Sequence, residues 1–248
     1  MIVLLPPSET KHPGGDGPPL RLDLLSYPEL TRLRAELVDE LVELAADESA
    51  CSRALGLSAS QHAEIERNAA LCDAATLPAI DRYTGVLYDA LDIASLTGVA
   101  ASRARARLAV GSALFGLLHA DDHIPAYRLS ATSKLPGQPA LSTRWRPLLE
   151  PALDRVAAHE LVVDLRSGSY ASLGRLPDAV RVDVVSENSD GKRTVVSHFN
   201  KAHKGRLARV LASTRSEPDT AAAVATIGRR AGMRIEREGN HLTVVVPA

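Results

Sequence analysis

A chain of 248 residues that is 45% hydrophobic and 24% charged has the balance of an ordinary globular protein, which excludes a disordered or a membrane-spanning chain. Its formal net charge is −1, so no overall field draws it to a nucleic-acid backbone, and any phosphate contact has to be local. Aromatic residues are only 3%, so Leu, Val, Ile and Ala must fill the core and each Tyr or Phe is worth locating.

The opening Met1-Ile2-Val3-Leu4-Leu5-Pro6-Pro7 is too short for a signal peptide and lacks its basic flank, and no apolar run reaches bilayer length, which predicts a cytoplasmic protein. Residues 2–5 read as a buried strand stopped by two prolines, because proline cannot extend a ladder. Ser8, Glu9, Thr10 and Lys11 form a polar loop that runs into residues 12–19, whose Gly and Pro content predicts irregular structure, mobile at its tip. Leu30, Leu33, Leu37, Leu41 and Leu44 recur at helical spacing and predict an amphipathic helix over residues 28–46. A second helix follows. Leu55-Gly56-Leu57 then breaks the pattern, and Ser58 and Ser60 are good caps for a helix reaching about Leu71, so this stretch reads as helix, hairpin, helix. Cys51 and Cys72 lie in it without CxxC or Cys/His zinc spacing; they read as ordinary buried thiols, with no basic neighbours to make them peroxide sensors.

Residues 82–88, with Thr84-Gly85 inside, form a tight segment, and residues 108–118 read as a strand entering a turn around Ser112. Residues 148–159 are helical in pattern, and the β-branched strand over residues 161–165 runs into Arg166-Ser167-Gly168-Ser169-Tyr170. Two strands, over residues 180–185 and 194–199, are joined by an Asp-Gly turn and should pair antiparallel. A basic helix from Lys201 to about Ser213, a helix over residues 220–231 and a strand over residues 241–246 close the chain. No repeat or low-complexity linker divides it. The expectation is a single α/β domain over residues 1–248, a mixed β-sheet flanked by helices, with a helix-hairpin-helix-like segment.

Three segments place polar residues directly after apolar strands: residues 8–11, 166–170 and 200–204. In α/β sheets such strand ends converge on a crevice where ligands bind, although every strand must end in something polar. The block of residues 192–215 has Lys192, Arg193, Lys201, Lys204, Arg206, Arg209 and Arg215 and no acidic residue. Lys201 and Lys204 share a helix face near the N-terminal turn, suited to an anion, or are simply a solvated face. Tyr127, Arg128 and Asp122 form another cluster: arginine grips carboxylate or phosphate with two prongs, and Asp122 is either a proton acceptor or half of a structural ion pair. No Ser/His/Asp order, GxGxxG, P-loop or HxxxH pair stands out, so no metal and no cofactor is expected.

Leu4-Leu5-Pro6-Pro7-Ser8-Glu9-Thr10-Lys11 resembles the opening signature of the YaaA family. Tyr83-Thr84-Gly85 is similar to its YTG element, and Gly111-Ser112-Ala113-Leu114-Phe115-Gly116 to its SGLYG-type segment. Asp122 with Tyr127-Arg128-Leu129 resembles its D-x4-YRL element, residues 163–170 its later strand and loop, and Asn200-Lys201-Ala202-His203-Lys204-Gly205-Arg206 its NKAxKG segment. The resemblance runs from residue 4 to about residue 211. It implies a cytosolic protein of hydrogen-peroxide resistance, with a helix-hairpin-helix and a positively charged cleft for double-stranded DNA. In this chain Leu55-Gly56-Leu57 resembles the hairpin, whose backbone would contact phosphates, but Asp47, Glu48, Glu64 and Glu66 lie near it.

Three functions follow as expectations. The first is a DNA-binding stress protein using Gly56, Ser58, Lys201, Lys204 and Arg206. The second is an enzyme acting on a nucleobase, nucleotide or small anion, with Asp122, Lys11 and Ser8 as catalytic candidates and Ser112, Tyr127, Arg128, Arg166, Tyr170, Asn200, Lys201 and Lys204 as binding ones; within it Lys11 and Arg128 hold the anion and Asp122 is the base. The third is a scaffold without either property.

Overall fold

Why the chain begins with a strand is visible in its burial: all four residues of β1 (Ile2–Leu5) are buried, as befits a parallel strand covered on both faces. The computed structural model describes residues 1–194 and 197–247, with the side chains of residues 197–199 also left aside. After β1 come α1 (Thr31–Ala45), α2 (Glu48–Leu55), α3 (His62–Ala69), the short β2 (Leu77–Pro78), α4 (Ala79–Arg82), α5 (Val86–Leu91) and α6 (Gly98–Arg107). β3 (Leu108–Ser112) and β4 (Gly116–His119) form a hairpin, β5 (His123–Ile124) pairs with β2, and α7 (Leu141–Ala157) leads to β6 (Val162–Asp164) and the short α8 (Gly168–Ala171). Then follow β7 (Val180–Glu187), β8 (Arg193–Thr194), α9 (Ser197–Ser213), α10 (Ala221–Arg230), β9 (Arg234–Glu238) and β10 (His241–Pro247).

The expected mixed sheet is present, with strands in the order β4-β3-β1-β6-β7-β10-β9 and β8 beside β7. β1 runs parallel to β3 and β6, and β7 parallel to β6 and β10, whereas β4, β8 and β9 are antiparallel. From β1 the chain moves to β3 on one side, and from β6 it moves to β7 on the other. The strand order therefore reverses between β1 and β6, the switch point at which open α/β sheets place their ligands. α9 packs on β1, β7, α5, α6 and α10, while α7 packs on β4.

Several elements differ from expectation. Residues 108–118 hold two strands rather than one, since Gly116 at φ 73° turns the chain back against the Trp145 ring. α7 starts at Leu141, seven positions early, because Leu141, Trp145 and Leu149 bury one face at i, i+4, i+8, which outweighs the N–H groups missing at Pro147 and Pro151. Of the strand expected over residues 194–199, the described part is Arg193–Thr194; residues 195 and 196 lie outside the described residues, and α9 already begins at Ser197. The loop expected to be mobile at its tip is tied down: Arg82 donates to the carbonyls of His12 and Gly14, and Gly17 bridges to Thr76.

Arg82 illustrates a general device. Arg34 donates to Phe115 O at 2.9 Å and Leu117 O at 2.7 Å, and Arg107 to Leu211 O at 3.1 Å and Thr214 O at 2.7 Å. These buried guanidiniums satisfy carbonyls in turns, along the edge strand β4 and in the last turn of α9, the requirement that any buried backbone imposes.

Candidate functional site

At the switch point between β1 and β6 the apolar strands give way to loops. Pro6 and Pro7 end β1, and the following residues are held in place by main-chain bonds. Lys11 bridges antiparallel to Tyr83, Thr84 N donates to Thr10 O at 3.2 Å, and the Tyr88 hydroxyl donates to Pro6 O at 2.8 Å. Ser8 and Thr10 hydroxyls are 3.1 Å apart, directly over Gly85, where φ is 94° and a Cβ would stand 3.1 Å from Thr10 Oγ1. Glycine is needed there both for the backbone angle and for the space.

Four of the five tyrosines meet at this point. Tyr83 and Tyr127 hydroxyls are 2.8 Å apart, and Tyr127 is 2.8 Å from Ser112 Oγ. Ser112 Oγ accepts from Leu114 N at 3.2 Å and Phe115 N at 3.0 Å. With both lone pairs so engaged, Ser112 must donate to Tyr127 and Tyr127 to Tyr83, which leaves the Tyr83 O–H as the free end of the chain. Burial raises the pKa of Tyr83, Tyr88 and Tyr127, and brings Tyr170 up to about 12, so all four remain neutral hydroxyls near pH 7.

Lys11 sits among these rings. Its Nζ lies 4.2 Å from the Tyr127 ring centre and 5.4 Å from that of Tyr83, and donates to Ser8 O at 2.9 Å and Glu9 O at 3.4 Å. Burial, more than the neighbouring Arg128 and Arg82, brings its pKa down to about 7, against a partial upward pull from Glu64 and Glu9. Arg128 stands beside it, paired with Glu9 at 3.0 Å. The Arg128 main chain is clamped by Asn68, whose side chain accepts from Arg128 N at 2.8 Å and donates to Arg128 O at 2.9 Å. Helix α3 thus positions the arginine, a role that sequence spacing did not reveal.

Sequence-predicted residues therefore divide. Ser8, Lys11, Ser112, Tyr127, Arg128 and Tyr170 come together. Asp122, the candidate base, does not join them: it follows β4 at the end of β3 remote from Ser112, and its carboxylate accepts from Ser26 N, Ser26 Oγ and His119 N at 2.8–2.9 Å. It is a loop anchor. Arg166 is buried in a two-pronged pair with Asp164, at 2.9 and 2.8 Å, and also holds Gly174 O, so its fork is already spent. That pair, with Arg175, Arg181 and Asp183, lines a cavity of about 390 Å³.

Lys204 donates to Leu165 O at 3.1 Å, at the end of β6, and burial lowers its pKa against the pull of Asp183 and Asp164. Lys201 and Arg206 are exposed, and no hydrogen bond or ion pair among the described residues ties them to the tyrosine cluster. Because α9 starts at Ser197, Lys201 and Lys204 lie beyond its first turn, away from the free N–H groups. Asn200 Oδ1 is buried without a hydrogen-bond partner among the described residues. Gly56, at φ 65°, does turn α2 into α3, and Ser58 closes a capping box with Gln61. Cys51 is buried as expected, but Cys72 is exposed, since it falls after the end of α3. Among the described residues no group of three His, Cys, Asp or Glu side chains is placed to hold a metal, and no helix is long and apolar enough to cross a membrane.

A family model described as "Peroxide stress protein YaaA" matches residues 1–237. A UPF0246 protein of Corynebacterium efficiens is 50% identical, covering 99% of this chain and 100% of its own. A UPF0246 protein of Streptomyces coelicolor is 44% identical over 96% of this chain and 93% of its own. An uncharacterized protein of Campylobacter jejuni is 28% identical over 86% and 85%.

Proposed function

The chain belongs to the peroxide stress protein YaaA family, and from that premise we propose that it acts in the peroxide response of the cytoplasm by binding a small anionic ligand, nucleotide-like or smaller, in a recess at the ends of β1, β3 and β6. One observation carries this reading: Lys11, Arg128, Ser112 and the tyrosines gather beside the ends of β1 and β3 although they are far apart in sequence. Arg128 supplies the two-pronged grip, and its partner Glu9 is 64% exposed and free to yield to a ligand. Hydroxyls of Ser8, Thr10 and Tyr83 supply orientation. A thermal-shift screen with nucleotides, nucleobases, small carboxylates and short duplexes tests it. A small anion should raise Tm, and Arg128→Gln should weaken its binding about tenfold or more, the worth of a charge-assisted pair. Failure of every small anion to shift Tm would remove the proposal.

Double-stranded DNA is the second reading, and one observation favours it: the Gly56 turn is open, with space of at least 4 Å around the point where a Cβ would project, as a phosphate-contacting hairpin requires. Against it, the helices on either side of the turn carry the exposed carboxylates Glu48 and Glu66, 3.7 and 3.8 Å from His62, and Lys204 is committed to Leu165 O. Duplex binding that weakens steeply with salt and is lost in Lys201→Glu or Arg206→Glu would favour DNA over the small ligand.

A further inference from the structure

Lysine is scarce in this chain, with five against 24 arginines. Arginine performs the structural work of capping carbonyls, as Arg34, Arg82 and Arg107 do. What lysine offers and arginine cannot is an amine that sheds its proton near neutrality. Among the described residues Lys11 has no carboxylate within ion-pair distance; its donors go to two main-chain carbonyls and an aromatic face. As a neutral amine it keeps two N–H groups for Ser8 O and Glu9 O and has its lone pair free. Lys11 and Tyr83 are also direct partners across an antiparallel bridge, so their side chains share one side.

The geometry points to Lys11 as a nucleophile that condenses with a small aldehyde or ketone bearing an anionic group, the anion held by Arg128 and the carbonyl oxygen by the free Tyr83 hydroxyl. This rests on the ligand-site reading above and assigns it a substrate class and a reaction. The Nζ lone pair forms the N–C bond as the carbonyl π pair moves onto oxygen. One amine hydrogen passes to that oxygen, giving a carbinolamine. The second leaves with it as the C–O bond breaks, so the products are an imine and water, with no oxidant or reductant consumed. With the pKa of Lys11 at about 7, close to half of the molecules carry the free amine at neutral pH, where an exposed lysine is almost wholly protonated.

Glyoxylate, an aldehyde with a carboxylate, is incubated with the full chain and cyanoborohydride, with acetaldehyde as the uncharged control, and peptide mapping locates the reduced adduct. Near pH 7 Lys11 should be labelled at least about tenfold faster than the exposed Lys134, Lys192 or Lys201, given its larger free-amine fraction. Its rate should level off above about pH 8 while theirs keep climbing. Arg128→Gln should shrink the preference for glyoxylate over acetaldehyde, and Tyr83→Phe should slow Lys11 without changing the other lysines. Equal labelling of Lys11 and these three exposed lysines overturns the assignment. If small anions still raise Tm in an Arg128-dependent way, that result leaves the ligand site standing without the covalent step.

Discussion

Lys11 and Asp122 show how differently two polar residues in buried surroundings are used. Between about pH 7 and the ordinary lysine range the folded state holds fewer protons at Lys11 than the unfolded chain does. Stability on this account falls as pH drops through that interval and levels off below about 7. Lys11→Met should therefore stabilise the protein at pH 6, by about 1–3 kcal/mol, with the gain shrinking toward pH 10, as urea melts at several pH values would show. A destabilised Lys11→Met at pH 6 would mean that the Tyr127 face and the two carbonyls more than offset the burial. Asp122 is the reverse case. Asp122→Ala strips an acceptor from Ser26 N and His119 N, and should cost about 1–3 kcal/mol in stability while leaving ligand affinity unchanged. A large loss of affinity at full stability would restore it to the site.

Among the elements, α9 braces the helix that holds the loop after β1. It crosses α5 so closely that a Cβ on Gly205 would lie 2.1 Å from Leu87 O. Gly205 thus trades helix propensity for contact, and α5 in turn carries Tyr88, whose hydroxyl fixes Pro6. Gly205→Ala should destabilise by about 1–3 kcal/mol despite alanine's better propensity, because the helices must separate. Thermal melts check this, and a neutral or stabilising result would show that α9 slides without penalty. Gly228→Ala tests the same rule where the obstacle is the flexible Ile235 Cδ1 at 2.3 Å, and should cost less. On the other side α3 clamps Arg128 through Asn68, so the candidate site is bounded by helices that reach it from separate parts of the chain.

At the scale of the whole molecule, net charge and core decide the broad behaviour. With Lys204 committed to Leu165 O, Lys201 and Arg206 are the cations left in the expected DNA-contacting set, so the log–log salt slope for duplex binding through that set should stay below about 2 in magnitude. Fluorescence anisotropy between low and moderate salt reads this, and a steeper slope would favour the DNA reading. The buried side chains form one continuous apolar cluster from Met1 to Val246. A single cooperative unfolding transition is expected, with far- and near-UV circular dichroism coinciding; two separated transitions would divide the chain.

The amino-acid sequence by itself determined the family, through blocks of residues in a fixed order, and the main elements wherever periodicity was strong, such as the leucine-rich α1 and the apolar β1. It also placed Ser8, Lys11, Ser112, Tyr127, Arg128 and Tyr170 among the candidates, because polar residues after apolar strands mark strand ends. It could not separate them from Asp122 and Arg166, which have the same chemistry and similar local context. That difference lies in partners distant along the chain: Ser26 for Asp122, and for Arg128 the clamp of Asn68. The lowered Lys11 pKa, the direction of the Ser112–Tyr127–Tyr83 chain and the closeness of α9 to α5 were likewise decided by tertiary structure alone, since desolvation, hydrogen-bond valence and steric fit depend on what the fold brings within a few ångströms.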